Sequence, residues 1–206
     1  MNSDQLLALI SAMSKKIHEE KDYLTDLDNV IGDGDHGINM ARGFAAVEGK
    51  LPELKEKDCG FILKTMGMTM VSVIGGSSGP LYGTAFMKAG MSVNGKDKIT
   101  EEDFVKCFDA AIDGVMMRGK AVKGEKTMLD SMIPARDAIK KSLSEGSSFK
   151  SALSAGVDAA REGVEYTKTI IATKGRAAYL GDRSLGHQDP GATSFAVLLE
   201  VIAEMV

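Results

Sequence analysis

Between residues 28 and 37 the chain reads Asp28-Asn29-Val30-Ile31-Gly32-Asp33-Gly34-Asp35-His36-Gly37. Three carboxylates fall within eight residues, among glycines that favour a tight turn. Like charges this close repel one another unless a cation lies between them. If a helix ends near Ile31, Asp28 stands about one turn back on its last face, and Asp33 and Asp35, two apart in extended chain, point the same way. Asp28, Asp33 and Asp35 can then converge on a cation. The alternative is a solvated helix stop built from ordinary turn residues. Gly32 to Gly37 also fits the dinucleotide pattern G-x-G-x-x-G, but no strand precedes it, and aspartates repel a pyrophosphate unless a metal intervenes. An EF-hand is excluded because the twelfth residue counted from Asp33 is Phe44 rather than glutamate.

Three further turns carry polar chemistry. Gly75-Gly76-Ser77-Ser78-Gly79-Pro80 leads into a helix, and proline suits a first helical position, so serine hydroxyls and backbone N–H groups gather at a positive helix end. That is a phosphate-sized anion site, or else an ordinary cap. It is not a P-loop, which requires a lysine that this turn lacks. Lys174 to Ser194 reads as a long polar loop in which Arg176 is a candidate bidentate phosphate donor and Asp189-Pro190-Gly191 opens the last helix. Loops of that length inside a compact domain are usually functional or disordered, and this mixture of Arg, Tyr, Leu and Asp is not a disorder composition. Arg118 to Asp130 holds four cations before a helix; taken singly, its lysines read as a solvated basic loop.

These turns need elements to position them, and helices are what the apolar spacing supplies. The first stripe, Leu6 to Ile31, predicts one long helix from near Ser3. Seven more follow at Ile38 to Leu51, Phe61 to Val73, Leu81 to Ala89, Phe104 to Val115, Met128 to Leu143, Phe149 to Ile170 and Ala192 to Met205. Thr100, ahead of Glu101, Glu102 and Asp103, is a natural N-cap. No stretch alternates long enough to be a strand. The expectation is a single all-α domain over residues 1–206, of about eight helices.

Composition narrows the function classes. Hydrophobic residues at 44% and charged residues at 26% describe an ordinary soluble core. The net charge of −4 gives no basic field for nucleic acid. Cys59 and Cys107 lie far apart and outside any C-x-x-C pair, so neither a disulfide framework nor a cysteine zinc site is expected, and a cytoplasmic setting fits. No leader and no membrane span are read from the sequence. Glycine is the outlier, 23 residues, and the polar turns account for many of them. The methionines at 66, 68, 70, 116 and 117 are read as core filling.

Taken together, Gly32 to Asn39 with Asp28, Gly75 to Thr84, Arg118-Gly119-Lys120 with Lys126-Thr127-Met128, and Lys174 to Ser194 resemble the ADP-binding L subunits of bacterial dihydroxyacetone kinases. The match spans nearly the whole chain. The resemblance implies an eight-helix antiparallel barrel with the nucleotide held by loops at one end. It implies two Mg²⁺ ions on Asp28, Asp33 and Asp35, and ADP or ATP surrounded by His36, Gly37, Ile38, Asn39, Ser77, Ser78, Gly79, Gly119, Thr127, Met128, Arg176, Asp189, Pro190 and Gly191, with Arg176 as the catalytic residue. Gly34 stands where the family often has alanine. Hard oxygen ligands beside phosphate favour Mg²⁺ over zinc, and phosphoryl transfer depends mainly on positioning and on cations.

The resemblance further implies a phosphoenolpyruvate-dependent phosphotransferase subunit. Its ADP is rephosphorylated by a phosphohistidine-carrying M subunit of the phosphotransferase system, and the phosphoryl group passes to dihydroxyacetone on a separate K subunit. A transcriptional regulator is a further partner that the resemblance admits, and a homodimer is the expected assembly. The rival readings are an ATP-dependent kinase subunit, a nucleotide-loaded regulatory module, and a metal-dependent phosphohydrolase.

Overall fold

The computed structural model describes residues 1–206 and is all-α, with nine α-helices, two 3-10 helices and no named strand. No helix is long and apolar enough to cross a membrane. The first predicted stripe is two helices, α1 (Ser3–Glu19) and α2 (Lys21–Ile31), broken at Glu20, whose ψ of 0 leaves the helical range. Leu6, Ile10, Met13, Ile17, Leu24 and Ile31 are all buried, and in the sequence Ile10, Ile17, Leu24 and Ile31 keep a spacing of seven. That is why the pattern reads as continuous; nothing in the local residue types marks the break. The other helices are α3 (His36–Glu48), α4 (Cys59–Val73), α5 (Ser78–Ser92), α6 (Glu101–Gly119), α7 (Leu129–Ser144), α8 (Phe149–Thr167) and α9 (Pro190–Met205). The 3-10 helices cover Leu51–Leu54 and Arg176–Ser184.

The backbone groups into two compact units, each made of two stretches of chain: Met1–His18 with Asn39–Lys120, and Glu19–Ile38 with Ala121–Val206. In the first, α4 packs on α5 and α5 on α6. The α4/α5 contact is a glycine seam. A Cβ on Gly67 would stand 2.5 Å from the Gly83 carbonyl, and one on Gly90 would stand 2.7 Å from the Gly60 carbonyl. Gly60 and Gly67 thus face Gly90 and Gly83, seven apart on each helix and in opposite order, so the helices run antiparallel with their backbones touching. Glycine inside a helix costs about 1 kcal/mol relative to alanine. The seam offsets that cost by close backbone packing, so the glycine excess belongs to helix contacts as well as to turns. Capping follows the sequence. Thr100 Oγ1 accepts from the Asp103 N–H at 3.1 Å and the Asp103 carboxylate accepts from the Thr100 N–H at 3.2 Å. Lys96 beside Asp103, together with these cap bonds, holds the Asp103 carboxyl down at about 2.

In the second unit α8 packs against α7 and α9, and α2 against α9. Pro134 lies inside α7 and has no N–H for the Asp130 carbonyl four residues back. Gly163 of α8 packs directly against that carbonyl, where any side chain would collide. From α9, Ala192, Ala196, Val197, Leu198, Leu199 and Val201 are buried.

Gly67→Ala should therefore lower stability by roughly 1–3 kcal/mol, as overpacking does, although alanine is the better helix former. Thermal unfolding of the variant measures it, and a raised Tm would reject the seam.

Candidate functional site

The turn between α2 and α3 folds back over Asp28. This aspartate is buried in the last turn of α2, and its Oδ2 accepts the backbone N–H groups of Asp35 at 2.9 Å and His36 at 3.1 Å. Asp28 thereby caps the positive start of α3, which favours a carboxylate. Two glycines permit the fold. Gly32 closes α2 where a side chain would run into the Asp28 carboxylate, and Gly34 has φ +71°, a left-handed conformation that favours glycine. One carboxylate oxygen from each of Asp28, Asp33 and Asp35 then lies within 4.8 Å of the others. Asp28 is buried, Asp35 half-buried and Asp33 exposed. The convergence expected from the sequence is present, and a set of three anionic oxygens suits a hard divalent cation.

Arg176 reaches this cluster. Its Nη2 lies 2.9 Å from Asp33 Oδ2. The long loop expected over Lys174 to Ser194 is partly regular: the 3-10 helix Arg176–Ser184 carries the arginine, with a break at Gly181. An apolar contact fixes it, because Ile31 at the end of α2 clusters with Ala172 and Ala177, and Leu180 packs on them. Ser184 Oγ adds a bond from the Ala172 N–H at 2.9 Å.

His36 is buried, with Nε2 2.9 Å from Ser194 Oγ on α9. Burial lowers its pKa to about 4 against the opposing pull of Asp28, so the ring is neutral near pH 7. Gly37 lies where a side chain would meet Lys21 and Thr25 of α2, and Ile38 is exposed. Asp189 caps α9, its Oδ2 accepting from the Ala192 N–H at 2.6 Å, and Pro190 takes the first helical position as expected. Burial above all pushes the Asp189 carboxyl up to about 7, against the Ala192 bond; the Asp130 charge adds to the rise and Lys126 opposes it. A Cβ on Gly191 would lie 3.5 Å from Met128 Cβ, so the 127–128 and 189–191 segments meet.

Asn39, Ser77, Ser78, Gly79 and Gly119 belong to the first compact unit. There α5 starts at Ser78, so Pro80 is its third residue rather than its first; Ser77 precedes the helix without a side-chain capping bond. Gly119 ends α6, ahead of Lys120 in the left-handed region at φ 47°.

Sequence reasoning missed Lys126, which is no solvated loop lysine: it is 1% exposed. Its Nζ donates to the carbonyls of Thr167 at 2.6 Å, Ile170 at 3.3 Å and His187 at 2.5 Å. Thr167 ends α8, where carbonyls lack helical partners and attract a cation. Lys126 therefore ties the end of α8 to the segment entering Asp189. Asp130, fully buried, accepts from the N–H groups of Thr127 at 2.8 Å and Gly124 at 2.5 Å and shapes the turn that presents Lys126. The available signal was the acid in the first turn of α7, four residues after the lysine. Lys126→Met should cost about 3 kcal/mol by stranding buried acceptors. Urea unfolding together with hydrogen exchange over residues 168–189 checks this; an unchanged midpoint would contradict it.

The chain is similar over most of its length to known proteins. The chain is 47% identical over 184 residues to the PEP-dependent dihydroxyacetone kinase, ADP-binding subunit DhaL, of Escherichia coli (strain K12), covering 89% of this chain and 88% of that protein. It is 41% identical over 204 residues to the PEP-dependent dihydroxyacetone kinase 1, ADP-binding subunit DhaL, of Listeria innocua, covering 98% and 96%. Among solved structures, the dihydroxyacetone kinase from C. freundii in complex with AMP-PNP and Mg²⁺ matches at TM-score 0.73 and 24% identity, over 96% of this chain and 33% of that one, which shows the shared all-α fold. The DAK2 domain model matches residues 30–204. With the acidic turn, the arginine on its 3-10 helix and this span of similarity in place, the chain belongs to the DAK2 domain family.

Proposed function

We propose that this chain is the ADP-binding subunit of a phosphoenolpyruvate-dependent dihydroxyacetone kinase, and that residues 1–206 act as one nucleotide-binding domain. The convergence of Asp28, Asp33 and Asp35 to within 4.8 Å carries the reading. Relatives covered to 88% and 96% of their own length bear that name, which favours it over an ATP-dependent subunit, a regulatory module or a phosphohydrolase.

Asp28, Asp33 and Asp35 would hold two Mg²⁺ ions; divalent cations in such a site neutralise phosphate oxygens and the charge that builds up during transfer. Asp28 is fixed by two backbone N–H groups, so its free oxygen keeps one position. Arg176, beside Asp33, places a guanidinium at the edge of the cluster, where its fork can pair with phosphate. Neutral His36 adds no charge there and braces the start of α3 against Ser194. Gly37 and Ile38, Thr127 and Met128 with Asp189 to Gly191, and the Ser77 to Gly79 turn with Asn39 and Gly119, are the other proposed nucleotide contacts. The phosphoryl group would arrive from a phosphohistidine of an M subunit and leave to a hydroxyl of dihydroxyacetone held by a K subunit. A homodimer and a transcriptional regulator are the further proposed associations.

The test is native mass spectrometry of the full chain. The wild type should carry the added mass of ADP and two magnesium ions through dialysis. Asp35→Asn should lose it at least tenfold, with an unchanged circular dichroism spectrum. Full retention by Asp35→Asn would overturn the metal assignment, and a wild type that neither retains nor binds ADP with Mg²⁺ would overturn the function.

A further inference from the structure

Arg42 has no part in the site as described, yet it is hydrogen-bonded to one of the proposed nucleotide contacts. It follows Asn39 by three residues on α3, close enough for the two side chains to meet. Arg42 Nη2 donates to Asn39 Oδ1 at 2.6 Å. Asn39 is 4% exposed, and its Nδ2 is buried without a hydrogen-bond acceptor. A buried amide N–H left unpaired is costly, so such a group is retained where an acceptor is supplied from outside the chain. The pair also stands against the glycine-serine turn: a Cβ on Gly75 would lie 3.7 Å from Arg42 Nη2 and 4.0 Å from Asn39 Oδ1. Gly76 follows at φ +64°, and the chain then enters α5 at Ser78.

We propose that Arg42 is a positioning residue for nucleotide binding, acting through Asn39. An asparagine amide can turn over, exchanging its donor and acceptor faces. The guanidinium has only donors, so it engages Oδ1 and leaves Nδ2 to serve an oxygen of the nucleotide. Without it the amide is free to present Oδ1, an acceptor that repels phosphate oxygens. Arg42 is itself exposed, so its role is separable from folding. This inference rests on the nucleotide reading above and deepens it.

The test is a double-mutant cycle on the full chain, with ADP and Mg²⁺ as the titrated probe and calorimetry as the readout. Arg42→Met should weaken ADP binding roughly tenfold with Tm unchanged, Asn39→Ala should weaken it by a similar factor, and the double variant should be no weaker than the worse single one. Arg42→Gln, which keeps a donor for Oδ1 without the charge, should restore most of the affinity. That variant keeps the inference testable if Asn39→Ala folds poorly. Multiplying losses in the cycle, or affinity restored by Arg42→Lys and not by Arg42→Gln, would overturn the positioning role while leaving ADP binding in place. A wild-type chain that binds no ADP would overturn the nucleotide reading, and this inference with it.

Discussion

A carboxylate that caps a helix and faces two others is the constraint from which the site is built. Asp28 gives one oxygen to the N–H groups of Asp35 and His36, so the start of α3 is fastened to the end of α2. The same turn brings one carboxylate oxygen each of Asp33 and Asp35 to within 4.8 Å of one from Asp28. Mutual repulsion among three acids would open an unsupported turn. Here it is opposed by backbone donors, by the positive start of α3 and by Arg176 on Asp33. The local fold and the chemistry are therefore one arrangement.

Long-range supports keep that arrangement in place within the second compact unit. Ile31 packs with Ala172 and Ala177, which sets the 3-10 helix and hence Arg176 against the acidic turn. Lys126 gathers three carbonyls around a buried ammonium and fixes the segment that delivers Asp189 to the start of α9. Its charge also faces Asp189 and Asp130, whose carboxylates lower the cost of burying it.

Much of this was legible in the residue order. Period-3.6 apolar stripes gave the helices, Thr100 announced its cap, Asp189-Pro190-Gly191 announced the start of the last helix, and the spacing of Asp28, Asp33 and Asp35 allowed their convergence. What stayed hidden depends on partners distant in sequence. Lys126 looks like its solvated neighbours because its carbonyl acceptors lie some 41 to 61 residues away. The break at Glu20 involves no glycine or proline, and an unbroken apolar stripe masks it. Helix-seam glycines look the same as turn glycines until the opposing backbone is known.

The paired glycines of α4 and α5 have a mechanical corollary. Because the bare positions recur every seven residues on both helices, sliding one helix past the other by a single residue would drive side chains into backbone. The two helices thus behave as one stiff rail with a single permitted register, and the Ile74 to Ser77 segment between them spans a fixed gap. Any rearrangement of the first compact unit has to be absorbed outside this helix pair.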